Sequence, residues 1–243
     1  MAEQILLAAR GIVKRFGAIT VLDGVDFSVH AGEAVGIVGP NGAGKTTLLG
    51  ALSGAFGLSA GTVDLSGEDI TRFDAAQRCR MGIVRSHQVP RPFGGMTVFE
   101  NVLTAATQGG GFRRKEAHER SLEAIDVCGM AHVANRKAET LGLLDRKRLE
   151  LTRALATNPR LLLLDEIGGG LTDGEATELV GTIRTLKQRD ITIVWIEHIV
   201  HVLVQIVERL VCMDAGRVIA DGSPKAVLSD ATVVSAYLGG YRT

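Results

Sequence analysis

Apolar residues come in short continuous runs separated by polar and glycine-rich segments, and the first informative run lies near residue 35. Residues 34–38 read Ala-Val-Gly-Ile-Val and lead into a glycine-rich turn. Residues 45–49 (Lys-Thr-Thr-Leu-Leu) then have the composition of an opening helix. The pattern predicts a buried strand, a loop and a helix in succession.

Two further apolar runs end in acidic residues. Residues 161–164 are all leucine and precede Asp165 and Glu166, while residues 191–196 precede Glu197 and His198. Continuous apolar runs of this length are typical of parallel strands buried on both faces. Because ligands of parallel sheets bind at the carboxyl ends of the strands, we expect the glycine-rich loop, the acid pair and the histidine to share one site.

Between these two runs the sequence predicts a helix. Thr172-Asp-Gly-Glu175 is a capping-box pattern, and it marks a helix start. Apolar residues follow at helical spacing, at Ala176, Leu179, Ile183 and Leu186. The order strand, helix, strand predicts an α/β fold with a parallel sheet.

The middle of the chain, about residues 88–158, has a different character. Residues 108–111 (Gln-Gly-Gly-Gly) make a flexible break, and the charged stretch after them favours helix. Asp145 is a candidate cap for a later helix that runs to about Thr157, where Asn158-Pro159 would stop it. We expect a smaller helical lobe here.

Composition restricts the classes of protein that fit. The length of 243 residues suits one large α/β domain, with or without a smaller inserted lobe. Lys plus Arg and Asp plus Glu each number 27, so no overall positive field favours nucleic acid and no acidic excess favours disorder. Partners must therefore be inferred from local sites.

The sequence also bears on location. The amino-terminal residues lack the pattern of a secretory signal, so we expect a cytoplasmic protein. The most apolar region, residues 191–213, is interrupted by charged and polar side chains and is not expected to span a membrane. Cys79, Cys128 and Cys212 lie far apart without metal-ligand spacing, which predicts reduced thiols with a structural role.

Residues 39–46 match G-x-x-x-x-G-K-[ST], a phosphate-binding loop. Its glycines let backbone N–H groups point at phosphates, and the following helix N-terminus adds positive potential. A glycine turn followed by a surface lysine is the alternative, but the strand-loop-helix context favours ATP binding. The predicted nucleotide contacts are Gly39, Pro40, Asn41, Gly42, Ala43, Gly44, Lys45, Thr46 and Thr47.

The predicted chemistry needs a metal ion and an activated water. Lys45 is expected to reach the β- and γ-phosphates, and Thr46 and Asp165 to hold Mg²⁺. Glu166 is placed to polarise the attacking water. Asp165-Glu-Ile-Gly168 also fits the D-x-x-G of GTPases, but no Asn-Lys-x-Asp segment that would read guanine accompanies it.

The separation of Lys45 from Asp165-Glu166 by a helical insertion, followed by a strand that ends at His198, resembles the ABC ATPases. The resemblance covers nearly the whole chain. It implies a P-loop NTPase fold with a parallel-sheet core, an N-terminal antiparallel β part and an inserted helical subdomain. The core would comprise about residues 1–87 and 159–243, and the helical subdomain about residues 88–158.

The resemblance also implies roles for single residues. Phe16 would stack on adenine, Gln88 would contact Mg²⁺ and the attacking water, and His198 would contact the γ-phosphate. Taken alone, these three residues would more often be a core aromatic, a polar loop residue and a scaffold histidine. Gly170-Leu-Thr172 lies where the family's dimer-crossing loop would be, and Ile167 replaces the proline usual after the acid pair.

The largest departure from the family lies in its signature loop, usually Leu-Ser-Gly-Gly-Gln. The matching residues here are Leu141, Gly142, Leu143, Leu144 and Asp145. Gly142 replaces the serine that would donate to a γ-phosphate, and Leu144 stands where glycine would allow close approach of the backbone. In the family this loop acts on the partner subunit's ATP, so we hypothesise pairing with a different ATPase that has an intact signature.

Three segments resemble the ATPases that serve importers of branched-chain amino acids and related amides: residues 95–101, 148–151 and 236–239. The implied partners are transmembrane permease subunits, a second and non-identical ATPase and, indirectly, an external solute-binding protein. Nucleic acid is not expected. The chain would lie on the cytoplasmic face of the cell membrane.

Three other functions are weighed against transport. A soluble ABC-type ATPase in translation or repair would usually carry tandem domains or coiled-coil insertions, which the sequence lacks. A regulatory subunit with weak catalysis is favoured by the altered signature loop and disfavoured by the intact Lys45, Asp165, Glu166 and His198. A small-molecule phosphotransferase would need an acceptor pocket, for which the sequence gives no signal.

Overall fold

The structure is a computed structural model that describes residues 4–239. The strands, in chain order, are β1 (Ile5–Phe16), β2 (Ile19–His30), β3 (Ala34–Val38), β4 (Ala60–Leu65), β5 (Glu68–Asp69), β6 (Ile83–Arg85), β7 (Leu161–Asp165), β8 (Thr192–Ile196), β9 (Arg209–Asp214) and β10 (Arg217–Gly222). The α-helices are α1 (Lys45–Ser53), α2 (Ala75–Arg80), α3 (Val98–Thr104), α4 (Arg114–Val127), α5 (Leu143–Ala156), α6 (Asp173–Lys187), α7 (Val200–Leu203), α8 (Pro224–Leu228) and α9 (Ala231–Gly239).

The described chain forms two compact units. The terminal unit contains the residues up to Ala75 and those from Thr192 onward, and the central unit contains Ala76–Ile191. The central unit is longer than the helical subdomain predicted for residues 88–158, because it also contains β6, β7 and α6.

The terminal unit has two sheets. The first is antiparallel with the order β2-β1-β4-β5, in agreement with the N-terminal antiparallel part that the resemblance implied. In the second, β3 lies between β8 and β9 and is parallel to both, while β10 is antiparallel to β9. All side chains of β3 and β8 are buried, as their continuous apolar sequences predicted.

The central unit combines a parallel strand pair with helices. β6 and β7 run parallel, with Ile83 opposite Leu161 and Arg85 opposite Leu163. A π-helical turn (Ala105–Gly109) continues α3, and two 3-10 turns (Ala131–Val133 and Ala138–Thr140) precede α5.

The sequence predicted the start of one helix of the central unit correctly and the start of another wrongly. Thr172 and Glu175 form the predicted capping box of α6, and the four predicted apolar positions of that helix are buried. Asp145 was expected to cap α5, and this prediction is wrong. Gly142 holds the N-cap position in an extended conformation (φ −66°, ψ 172°), and Asp145 lies in the first turn, 3.8 Å from the Arg148 guanidinium.

The helices and the cysteines bear on two further expectations from the sequence, the lack of a membrane span and the structural role of the thiols. None of the helices in residues 4–239 is long and apolar enough to cross a membrane. Cys128 and Cys212 are buried, whereas Cys79 is half-buried. Burial raises the pKa of the Cys128 thiol to about 11, so this thiol stays protonated near neutral pH.

Candidate functional site

The phosphate loop connects β3 to α1 in the terminal unit, as predicted. Gly39 has φ +146°, and a Cβ at this position would lie 2.1 Å from the carbonyl oxygen of Met213. A Cβ at Gly44 (φ +98°) would lie 2.9 Å from the Val21 carbonyl oxygen. Both positions therefore require glycine, because the loop is pressed against neighbouring backbone.

Lys45 is held inside this loop. Its side chain is buried, with 6% of the residue exposed. The ammonium Nζ donates to the carbonyl oxygens of Gly39 (2.7 Å) and Pro40 (3.0 Å). A cation fixed by the loop's own carbonyls is well placed to meet an anion that the loop surrounds.

The start of α1 supplies further donors for an anion. Gly44 is the N-cap residue and makes no side-chain capping hydrogen bond, and the backbone N–H groups at a helix N-terminus are donors of the kind that bind phosphate groups. Thr46 is exposed and Thr47 half-buried in this turn. A hydroxyl on Thr46 is the type of hard oxygen donor that Mg²⁺ accepts beside a bound phosphate.

The acid pair lies in the central unit at the end of β7. Asp165 is 3% exposed, and its Oδ2 accepts a hydrogen bond from the guanidinium of Arg85 at 2.7 Å. Glu166 follows with φ +48°, a left-handed conformation that costs a non-glycine residue about 1–2 kcal/mol. This backbone turn directs the two neighbouring carboxylates to different partners.

Gln88 is the partner of Glu166. Its side-chain Nε2 donates to Glu166 Oε2 at 2.5 Å. The structure therefore brings together two of the residues that the sequence assigned to water activation, both within the central unit. A carboxylate at the end of a strand in such a site is the type of group that can act as a general base towards a bound water.

His198 lies in the terminal unit, directly after β8. Its side chain is exposed, and its backbone N–H donates to the carboxylate of Glu197 at 3.2 Å. Glu197 itself is 3% exposed. The carboxylate thus supports the backbone of the turn that carries the histidine.

Phe16 ends β1, with 49% of the residue exposed. Its ring packs edge-to-face on Phe56, with centroids 5.5 Å apart, and Lys14 Nζ lies 4.7 Å from both ring centroids. Phe16 is therefore not the core aromatic that the isolated sequence would suggest. Its exposed ring is free to meet a planar ligand, and Phe56 and Lys14 brace it.

The signature segment covers the start of α5. Leu141 is buried, Gly142 is exposed at the N-cap, and Leu143 is 42% exposed. Space for a larger residue exists at Gly142, since no atom would lie within 4 Å of a Cβ at that position, whereas a Cβ at Gly170 would lie 3.2 Å from the Leu143 side chain. The predicted dimer-crossing loop and the signature segment are therefore neighbours in the central unit.

Sequence reasoning missed two contacts of these sites. Arg85 belongs to no motif, and its signal is only that it ends a strand beside β7, opposite Leu163. The Tyr237 hydroxyl accepts a hydrogen bond from the Gly39 N–H at 2.8 Å. In the sequence, Tyr237 was noted only as part of residues 236–239, which resemble the branched-chain importer ATPases. Contacts between residues so distant in the chain leave no local pattern.

Comparison with known proteins places this geometry in a family. The family described as "ABC transporter" matches residues 22–168, and the family described as "Branched-chain amino acid ATP-binding cassette transporter" matches residues 217–242. The high-affinity branched-chain amino acid transport ATP-binding protein LivG of Escherichia coli (strain K12) is 35% identical over 252 residues, covering 98% of this chain and 99% of that protein.

Two further relatives widen the comparison. The lipopolysaccharide export system ATP-binding protein LptB of Haemophilus influenzae is 30% identical, covering 96% of this chain and 97% of that protein. The crystal structure of a nucleotide-free ATP-binding cassette from an ABC transporter superposes with a TM-score of 0.89 at 33% identity, covering 96% of this chain and 98% of that one. The predicted α/β P-loop fold and the predicted ATPase class are confirmed. The chain belongs to the ATP-binding subunits of the ABC transporter family.

Proposed function

We propose that this chain is the ATP-hydrolysing subunit of an importer of branched-chain amino acids or related small polar solutes, bound to the cytoplasmic face of the membrane. The observation that carries the proposal is the match of residues 217–242 to the branched-chain family, because these residues lie outside the general ABC match at residues 22–168. The near full-length similarity to LivG supports it. The weaker similarity to LptB supports an export ATPase as the second candidate.

In this proposal, the phosphate loop and the start of α1 bind the triphosphate of ATP. The buried Lys45 ammonium, already held by the Gly39 and Pro40 carbonyls, neutralises charge on the β- and γ-phosphates. Backbone N–H groups of residues 39–47 donate to the phosphate oxygens. Phe16, braced by Phe56, stacks on the adenine ring.

The residues proposed for Mg²⁺ suit that ion. Thr46, Gln88 and Asp165 offer a hydroxyl, an amide oxygen and a carboxylate, which are the hard oxygen donors that Mg²⁺ prefers. Within residues 4–239 no cluster of three or more His, Cys, Asp or Glu side chains could hold a metal by itself. A magnesium ion that shares its coordination with nucleotide phosphates needs no such cluster, and when bound it supplies charge neutralisation.

We propose Glu166 as the residue that orients and deprotonates the attacking water. The amide of Gln88 holds one oxygen of this carboxylate, and the left-handed backbone at residue 166 fixes its direction. His198 contributes a hydrogen bond to the γ-phosphate. Family membership supports these roles.

The membrane partner is proposed to dock on the central unit beside Gln88. A cavity of about 360 Å³ lies there, lined among others by His87, Arg91, Phe93, Glu150 and Arg153. The Arg153 guanidinium lies 5.3 Å from the Phe93 ring centroid and donates to the Glu150 carboxylate at 3.1 Å. The exposed residues Val89 (67%) and Phe93 (47%) give this surface an apolar rim for a permease helix.

The second ATPase is proposed because the signature segment lacks the serine donor. A subunit with an intact signature would complete the site on this chain, while Gly142 and Leu144 would serve the partner's ATP poorly. The resulting pair has two unequal sites. Vigorous ATP hydrolysis by this chain alone would contradict the pairing.

Purification of the full chain from membranes, followed by reconstitution with whatever copurifies, tests the whole proposal. We expect multi-span permeases and a second ATPase to copurify, and ATP turnover in proteoliposomes to rise when a leucine-loaded solute-binding protein is added. Turnover that responds to a lipid instead would favour the export candidate. Recovery of the chain without any membrane protein would contradict both.

A further inference from the structure

The last helix of the terminal unit reaches the first residue of the phosphate loop. The Tyr237 hydroxyl in α9 accepts a hydrogen bond from the backbone N–H of Gly39 at 2.8 Å. Burial raises the pKa of this phenol, and the Gly39 N–H lowers it by less, so the pKa stays above its ordinary value. The phenol that accepts from this amide is therefore neutral near physiological pH.

A second contact fixes the loop farther along. The turn between β9 and β10 donates the Gly216 N–H to the carbonyl oxygen of Ala43 at 3.1 Å. Gly39, at the entrance of the loop, has no room for a side chain against Met213 of β9. The carboxyl-terminal residues thus hold the phosphate loop at its entrance and near its exit.

The residues next to the Tyr237 hydrogen bond, Pro40 and Ala236, border a region that is not closely packed. A cavity of about 840 Å³ lies between the outer edge of the loop and α9, lined by residues that include Pro40, Asn41, Thr232 and Ser235. A hydrogen bond with defined direction therefore has more influence on the loop than it would have inside a filled core.

Gly39 connects the hydrogen bond of Tyr237 to the ammonium group of Lys45. Its N–H is bound by Tyr237, and its carbonyl oxygen accepts from Lys45 Nζ at 2.7 Å. A change in the orientation of the Gly39 residue would therefore move the acceptor that holds the ammonium. The two bonds lie on the same residue, one on each side of its Cα.

We propose that Tyr237 is a positioning residue for triphosphate binding, and that its hydroxyl sets the entrance of the phosphate loop and, through Gly39, the place of the Lys45 ammonium. The carboxyl-terminal segment thereby becomes part of the nucleotide site. This inference needs ATP binding by the loop, which is a family property, and it is independent of the transported solute.

Tyr237→Phe in the full chain tests the inference, because it removes the hydroxyl and keeps the ring. We expect the Kd values of Mg-ATP and of magnesium tripolyphosphate, measured by calorimetry, to rise by the same factor of about three to ten, the usual loss for one hydrogen bond. Hydrogen exchange should show faster exchange of the Gly39 amide in the variant. Tripolyphosphate serves as the probe because it has no base or sugar.

Val234→Ala is the matched control, since Val234 is 43% exposed on the same helix. It should leave both Kd values and the Gly39 exchange rate unchanged. Unchanged Kd values in Tyr237→Phe would overturn the inference. A rise in the Kd of Mg-ATP alone would also overturn it, because the effect would then lie in contacts with the nucleoside. Equal rises in Kd in both variants, with equal falls in Tm, would overturn it too, because the effect would then come from the stability of the helix. None of these outcomes bears on import or export.

Discussion

At the scale of single residues, the acid pair after β7 shows how one turn gives two adjacent carboxylates different environments. Asp165 is almost fully buried and paired with Arg85, whereas Glu166 turns to Gln88. Glu166 has a positive φ (48°) at this turn. The site role of both acids was predicted because they directly follow a run of leucines. The contact of Asp165 with Arg85 was not predicted, because Arg85 lies eighty residues away along the chain and belongs to no motif.

Glu166→Gln should abolish most hydrolysis while it preserves ATP binding. Glutamine keeps the size of the side chain and still offers an oxygen to the Gln88 amide, but it cannot accept a proton from water. We expect turnover of the assembled complex to fall by about a hundredfold or more. Single-turnover hydrolysis and nucleotide binding measured on the same preparation check this.

Glu178→Gln is the matched control for that variant. Glu178 lies in α6, where its exposed carboxylate pairs with Arg148 at 2.7 Å. Removing an exposed ion pair costs little stability and should leave turnover unchanged. Near-normal turnover by Glu166→Gln would remove Glu166 from the role of base.

Arg85→Met should raise the Mg²⁺ concentration needed for nucleotide binding. Arg85 holds one oxygen of Asp165 and so orients the other, and residues that orient a ligand typically contribute about tenfold or more to metal affinity. Titration of Mg²⁺ against ATP binding measures the effect, and Arg85→Lys should restore part of it. A lower Mg²⁺ requirement would instead mean that Arg85 competes with the ion.

At the scale of elements, helix starts show which local features a sequence reveals. The capping box of α6 was predicted because both of its members lie within four residues and have characteristic side chains. The start of α5 was missed because its N-cap is Gly142, which acts through backbone conformation alone. Asp145 is a good capping residue by type, but it lies one turn too late.

Gly142→Ser should increase ATP turnover of the assembled complex, at the site that holds the partner subunit's ATP. The backbone at Gly142 is extended (φ −66°), and no atom lies within 4 Å of a Cβ there, so serine fits without strain. Serine caps a helix better than glycine by a few tenths of a kcal/mol, and it also supplies the hydroxyl that the signature lacks. We expect turnover to rise by about tenfold, since one donor to a transition-state oxygen contributes at least that much.

Gly181→Ser is the comparison for this gain. Gly181 lies in α6 and also has open space around a Cβ, so the same substitution adds a hydroxyl outside the signature segment. The ATP turnover of a complex that contains this variant should match the turnover of the unaltered complex. If Gly142→Ser gives no gain, alone or with Leu144→Gly, the altered signature is not what limits hydrolysis.

At the scale of the whole molecule, the chain leaves the terminal unit at residue 75 and returns to it at residue 192. The apolar runs of β3, β7 and β8 predicted the parallel strands, because buried strands need continuous apolar sequence. The antiparallel sheet was expected only from the family resemblance. β1 and β2 contain register shifts and mixed polarity, so their pairing depends on contacts that the sequence does not display.

An ion-pair cluster joins the two chain segments of the terminal unit. Arg209 of β9 donates to Glu33 at 2.6 Å and to Asp221 at 2.8 Å, and it also donates to the Ser28 carbonyl of β2. The backbone N–H and the ring of His30 contact the same Glu33 carboxylate. Glu33 and Arg209 are 176 residues apart, so this cluster closes the unit across the whole central insertion.

The cluster makes stability depend on pH. Burial alone raises the pKa of Glu33, but the hydrogen bonds and charge of Arg209 and the His30 amide outweigh burial and leave the pKa below its ordinary value of 4.5. A carboxylate with a lowered pKa stabilises the folded state above the unfolded-state pKa. This contribution is lost as the pH falls from about 4.5 through the folded-state pKa.

Glu33→Gln should therefore lower the free energy of unfolding by about 2 kcal/mol at neutral pH, the usual loss for a hydrogen bond between charged groups, and should weaken its fall below pH 4.5. Urea denaturation at several pH values measures both effects. Asp23→Asn is the control, because its ion pair with Arg217 is exposed and should contribute less than about 1 kcal/mol. Equal losses in the two variants would show that its position in the cluster gives Glu33 no greater effect on stability than an exposed ion pair has.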